Sequence, residues 1–161
     1  MKRALLALAL AVTLVSGLRA EPVKPSPAPT WKVTDLAGQP IGSDQLKGKV
    51  VVVDFWATWC PPCRGEMPGY VDLSKKYAAQ GLVIVGISMD QTGPASVKKF
   101  VEKYMISYPI AMGDEDLWKA FGGGESLPMT VIINRDGQIV DRKRGAVATA
   151  DFEKTLLAIL K

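Results

Sequence analysis

The sequence predicts an α/β sandwich built on a mixed central sheet, and three features carry that prediction. Val50–Trp56 ("VVVVDFW") and Leu82–Ser88 ("LVIVGIS") are continuous apolar runs without a polar face, the pattern of strands buried on both sides. Each is followed by a segment of helical character. Near the end, "MTVIIN" and "QIVDRKRG" flank "RDG" as a hairpin, and a helix closes the chain.

In chain order, residues 1–20 read as an export signal. Lys2 and Arg3 precede an uncharged, mostly apolar run from Ala4 to Leu18, followed by Arg19 and Ala20. Fifteen uncharged residues fall short of the roughly 20 that span a bilayer, so cleavage after Ala20 is expected, with an uncleaved anchor as the alternative. Residues 21–30, "EPVKPSPAPT", carry prolines at 22, 25, 27 and 29 and are expected to form an extended spacer. Residues 31–161 form one domain, long enough to bury a core without a covalent staple.

Within that domain, "WKVTDL" and "QPI" predict short strands. "SDQLKGK" predicts a helical turn begun by Ser43 and closed by Gly48. Cys60–Gln80 predicts a helix stopped by Gly81, and Ala95–Tyr104 a second one after Gly93-Pro94. Residues 109–111 suggest a brief strand and Glu115–Phe121 a short helix, with Asp114, Glu115 and Asp116 favourable in its opening turn. Asp151–Leu160 is an amphipathic closing helix.

Charge excludes some functions. The chain carries +4, but without residues 1–20 there remain 17 basic against 16 acidic residues. Neither nucleic acid nor a membrane surface is implied as a partner. The basic run "DRKRG" reads as charge on an exposed strand that discourages edge pairing. No histidine is present, so any general base must be a carboxylate, a lysine or a thiolate, and the commonest soft-metal ligand is missing.

Both cysteines of the chain stand in "WCPPC", at 60 and 63. As a staple they would do little, because so short a loop restricts the unfolded chain by only about 2 kcal/mol. Cys60 follows a buried strand and opens a helix, where the positive helix end favours a thiolate. Cys63 lies one turn deeper. Cys60 is therefore the attacking thiol and Cys63 the resolving one. As an N-cap, Cys60 would accept from backbone N–H groups, but Pro62 has none, so only Cys63 can donate. A moderately lowered thiol pKa follows, which suits a reductant better than a strong oxidant.

"WCPPC" after "VVVDFWAT", with "SLPMTVIINRDG" some sixty residues later, resembles the exported TlpA/ResA-like branch of thioredoxin-fold thiol-disulfide oxidoreductases. The resemblance covers Trp31–Lys161. It implies a thioredoxin fold with an N-terminal β extension and a helix-bearing insertion between Gly93 and Phe121. It also implies a cis peptide at Leu127-Pro128 facing the cysteines, with Trp59, Pro62, Leu127 and Pro128 meeting the substrate. Trp59 is expected to shield the disulfide from solvent.

Asp54 matches the buried acid that some thioredoxins place beneath the inner cysteine. In a strand of valines its pKa should rise, which makes it a proton acceptor for Cys63. Glu66, one turn after Cys63, resembles the acid of the same branch and is expected to tune the thiols while reaching solvent near the helix start. The resemblance further implies disulfide-containing protein substrates, among them apocytochrome c, a membrane thiol transporter as electron donor, a monomer, and no cofactor or metal.

The sequence departs from the branch at Met129, where Thr is usual, and in a glycine-rich loop, Gly122–Ser126, that reads as loose. No Lys in "IVGIS" can pair with Asp54. Two other functions stay open. Two thiols can hold Cu(I), though copper carriers of this shape usually add a His. A thiol peroxidase normally has Thr where Ala57 stands.

Overall fold

The computed structural model of the chain describes residues 24–161. The export signal expected in 1–20 and the first residues of the proline-rich run lie outside the described residues. A six-stranded mixed sheet has the order β1-β8-β7-β4-β5-β6, with β1 at Ser26–Pro27, β4 at Val50–Trp56, β5 at Leu82–Ser88, β6 at Ile110–Met112, β7 at Met129–Ile133 and β8 at Gln138–Arg144. β4 runs parallel to β5, and β5 to β6, while β7 is antiparallel to both β4 and β8. A separate hairpin joins β2 (Lys32–Thr34) to β3 (Pro40–Gly42), and the helices are α1 (Pro61–Tyr77), α2 (Pro94–Lys103), α3 (Glu115–Ala120) and α4 (Thr149–Leu160). This is the thioredoxin fold expected, with the N-terminal β extension and the helix-bearing insertion in place.

β4 is buried along its whole length, because helices cover both faces of the sheet. Successive side chains alternate between faces. Val50, Val52 and Trp56 join α1, α2 and α4 in one core cluster, while Val51, Val53 and Phe55 join Trp31, Trp118 and Phe121 in the other. Asp54, even-numbered in this alternation, therefore lies on the side covered by α1.

Three elements differ from expectation. Residues 43–48 form consecutive turns rather than a helical turn. The Ser43 hydroxyl is engaged with Trp31, accepting from its N–H at 3.3 Å, and so does not cap a helix. The last three residues of the long helix, Ala78–Gln80, tighten into a 3-10 turn before Gly81, which adopts φ 84° and ends it. The proline-rich run is extended where described, and Ser26 and Pro27 pair with Ile139 and Gln138 at the sheet edge. Among the described residues, Asp141–Arg144 has no strand partner on its outer side, but Asp141, Arg142 and Lys143 are half-buried rather than exposed, with Lys143 paired to Asp141 and Arg142 and Arg144 turned to loop carbonyls.

α1 and α4 meet at a glycine. A Cβ at Gly69 would collide with the Thr149 side chain, so only glycine lets the start of α4 approach α1 this closely. The preceding segment, Gly145–Ala148, is thereby brought against the first turns of α1. Replacing Gly69 by Val should destabilise the fold by about 1–3 kcal/mol in urea unfolding, the usual scale of overpacking, and Thr149→Ala in the same chain should recover part of the loss.

Candidate active site

Cys60 and Cys63 form a disulfide at the point where the chain leaves β4 and enters α1. Cys60 is the N-cap in extended conformation, and its Sγ accepts from the Cys63 N–H at 3.3 Å. Pro61 and Pro62 occupy the first helical positions without N–H groups, so no further amide of that turn can help. The two cysteines are 3% and 2% exposed, nearly equal, which corrects the expectation that burial itself separates them. What separates them is the adjoining groove of about 450 Å3, lined by Cys60 and not by Cys63.

Trp59, Pro62, Met89, Trp118 and Leu127 line the same groove. Trp59 is 65% exposed and forms a rim beside the disulfide, neither packed into the core nor buried over it. Opposite the cysteines, Leu127-Pro128 is cis, as the resemblance implies. The Pro128 carbonyl is taken by Gly145 N–H at 2.9 Å. Among the described residues, the Leu127 amide and carbonyl take no hydrogen bond.

The loop Gly122–Ser126 is clamped rather than loose. Trp118 Nε1 donates to the Gly124 carbonyl at 3.2 Å, and a Cβ at Gly123 would strike the Trp118 ring. From β8, Arg142 and Arg144 donate to the carbonyls of Phe121 and Gly122. Glycine here permits a close stack, so the groove wall is fixed.

On the side of the sheet covered by α1, which also carries Cys63, lies a buried acidic layer. Asp54 is 2% exposed, and its Oδ1 accepts from Thr130 Oγ1 at 3.1 Å across the β4–β7 register. Thr130 Oγ1 in turn lies 3.1 Å from the Tyr70 hydroxyl, from which it accepts because its own proton is engaged. Tyr70 stands 3.5 Å from Glu66 Oε1, which also accepts from the Val147 N–H at 2.7 Å. Glu66 is 6% exposed, so the expected route to solvent is absent. The segment before α4, admitted by Gly69, closes over it. On the β5 side, Gly86 is in register with Asp54, and a Cβ there would meet Trp56 Nε1 at 3.0 Å.

Comparison with known proteins agrees with this geometry. The AhpC/TSA family model matches residues 25–142. The chain is 38% identical over 133 residues, 82% of its length and 76% of the relative's, to "Thiol-disulfide oxidoreductase ResA" of Bacillus thuringiensis strain Al Hakam, and 33% identical over 135 residues to the protein of that name from Geobacillus kaustophilus. A thioredoxin-family thiol:disulfide interchange protein from Chlorobium tepidum TLS superposes with a TM-score of 0.79 at 34% identity, covering 86% of this chain and 98% of that one. The chain belongs to the AhpC/TSA family, as a thioredoxin-fold thiol-disulfide oxidoreductase.

In this oxidoreductase the two carboxyl groups hold protons unusually well. Burial, then the charge of Glu66, pushes the Asp54 pKa up to about 8, against the bond from Thr130. Burial also raises Glu66, opposed by the Val147 N–H and the Tyr70 hydroxyl. Glu66 Oε2, Trp56 Nε1 and the Tyr108 hydroxyl are buried without hydrogen-bond partners, so nothing among the described residues neutralises a second charge there.

Of the residues singled out in the sequence, Cys60, Trp59, Pro62 and Leu127 line the groove, Pro128 follows Leu127 in the cis peptide, and Cys63 and Glu66 are buried one turn apart on α1, with Asp54 linked to Glu66 through Thr130 and Tyr70. Sequence reasoning missed Tyr70, Thr130 and the Val147 amide. Tyr70 lies one turn after Glu66 on the same helix face, and Thr130 is the sole hydroxyl in "MTVII", so both carried a readable signal. Val147 carried none.

Because the folded Asp54 pKa exceeds its ordinary value of 3.8, the folded enzyme keeps a proton that the unfolded chain releases, and stability falls as pH rises from about 4 to about 8. Asp54→Asn should lose most of that slope, leaving a shallower one from Glu66. It should also be the more stable protein near pH 8 by about 1–3 kcal/mol in urea unfolding.

Proposed function

We propose that this oxidoreductase works outside the cytoplasm as a reductant of disulfides in protein partners, with Cys60 attacking and Cys63 resolving. What supports this reading is that Cys60 lines the groove together with Leu127 of the cis Leu127-Pro128 peptide, while Cys63 does not line it and stands one turn before buried Glu66 on α1, whose charge acts on Asp54. An extended partner segment lies in the groove, pairing with the free amide and carbonyl of Leu127, between the rim of Trp59 and Pro62 and the wall of Trp118 and Met89.

The Cys60 thiolate attacks one sulfur of the partner disulfide, and the partner's other sulfur leaves as a thiolate and takes up a proton. Cys63 then gives its proton to ionised Asp54 and attacks Cys60 Sγ, so the second partner thiolate departs and the Cys60–Cys63 disulfide forms. Two electrons have passed to the partner. A dithiol donor, a membrane thiol transporter, returns the pair to the reduced state by the reverse exchange. Asp54 is the acceptor because Glu66 Oε1 is already held by the Val147 N–H at 2.7 Å, whereas Asp54 has one weak partner in Thr130 at 3.1 Å. Burial raises the Asp54 pKa most, and the charge of Glu66 raises it further.

Export is supported by the signal-like residues 1–20. Apocytochrome c, which offers paired cysteines, is the partner that the TlpA/ResA-like resemblance implies, and the enzyme meets it as a monomer.

Cys63→Ser should accumulate mixed disulfides with natural partners through Cys60, and mass spectrometry of the adducts names those partners. Equal trapping by Cys60→Ser would reverse the order of attack. In stopped-flow reduction of a model disulfide across about pH 5 to 9, Asp54→Asn should slow resolution about 10-fold or more and remove the limb that rises toward pH 8. Glu66→Gln should keep that limb and move it to lower pH. The converse pattern would transfer the base role to Glu66.

A further inference from the structure

The sheet pairing of β4 and β5 ends at Trp56 and Ser88, one turn of chain short of the cysteines. Past that point, one backbone bond still links the strands, from Met89 N–H to the Trp56 carbonyl at 2.8 Å, and the Cys60 N–H turns back to the Ala57 carbonyl at 3.1 Å. The segment between them holds Trp59, whose side chain is mostly in solvent. Pro61 and Pro62 offer nothing to Cys60 from the other side.

Asp90 fills this gap. Its side chain is 6% exposed, and one carboxylate oxygen accepts from the Thr58 N–H at 2.9 Å and the Ser88 hydroxyl at 2.8 Å, while the other accepts from the Thr58 hydroxyl at 2.5 Å. Its own N–H donates to Ser88 Oγ at 3.2 Å. Among the described residues no other side chain bonds the backbone of residues 57–60. We propose that Asp90 is a positioning residue for the reaction: with Thr58 and Ser88 it continues the strand pairing through side chains and fixes where Cys60 Sγ stands relative to the helix end and the groove. Met89, the residue before it, lines that groove, so one dipeptide of β5's exit builds the wall and holds the thiol's approach.

The chemistry separates geometry from charge. In Asp90→Asn the amide carbonyl still accepts from the Thr58 N–H and Ser88, and the amide NH2 donates to the Thr58 hydroxyl, so the clamp survives without a carboxylate. In Asp90→Ala both bonds to Thr58 vanish and its part-buried N–H loses its partner. Thr58→Val keeps the shape and the backbone bond but loses the hydroxyl.

The proposal rests on Cys60 being the attacking thiol, which is checked separately by mapping the first cysteine that iodoacetamide alkylates in the reduced, unsubstituted protein. Each variant is then measured as the full chain at a temperature where its unfolding curve shows it folded. Asp90→Ala should reduce insulin disulfides about 10-fold more slowly or worse, and its alkylation midpoint should move to higher pH as the thiolate loses alignment with the helix end. Asp90→Asn should stay within about two-fold of the unsubstituted protein in rate, since the clamp is retained. Thr58→Val should lose about three-fold or more, and it carries the test if Asp90→Ala does not fold. The inference is overturned if Asp90→Ala or Thr58→Val lowers only the unfolding midpoint and leaves rate and alkylation profile unchanged. It is equally overturned if Asp90→Asn is as slow as Asp90→Ala.

Discussion

The site depends on one constraint, a carboxyl group held where water cannot reach it. β4 is a central strand covered on both faces, and the two-residue period of a strand puts Asp54 on the side that receives α1. Its neighbours in register are Gly86 and Thr130, and among the described residues a single hydroxyl and no cation serves it. Ionising such a group is costly. In the proposed mechanism the proton it holds is the one exchanged with the resolving thiol, and the elements around it keep it enclosed: Tyr70 behind Thr130, Glu66 beyond Tyr70, and the Val147 amide closing the end of the row.

Two layers with different chemistry result from this arrangement. One is an open groove with aromatic walls, bordered by Cys60 and not by Cys63, with a Leu127 backbone unpaired among the described residues; in the proposed reading it takes up an extended peptide. The other is a closed acidic layer of Asp54 and Glu66, which in that reading handles protons. Helix α1 serves both sides at once, because Cys60 caps its N-terminus while Glu66 and Tyr70 are buried farther along it. Pro61 and Pro62 leave the Cys63 N–H as the one donor of the first turn to the Cys60 sulfur.

Much of this was legible in the sequence wherever the signal is local. Val50–Trp56 and Leu82–Ser88 are read from β-branched runs, the cysteines from their place between strand and helix, and the burial of Asp54 from the valines beside it. What escaped is long-range. Glu66 reads as a solvent-facing acid of an early helical turn, since the chain that buries it arrives 81 positions later and docks through Gly69. The glycine loop reads as loose because Trp118, Arg142 and Arg144 hold it from other elements. Ser43 reads as a helix cap because its engagement with Trp31 spans 12 residues. Asp90 drew no notice for the same reason, since its partner Thr58 is 32 residues earlier.

In the proposed reading Cys60 is a thiolate of moderate stabilisation, served by one amide and no histidine, and the pair gives electrons rather than takes them. The reduction potential of Cys60–Cys63, found by equilibrating the protein in thiol–disulfide buffers of graded composition, tests this most directly. A value near that of thioredoxin, about -270 mV, is the predicted result, and one near the strong oxidants at about -120 mV would contradict it.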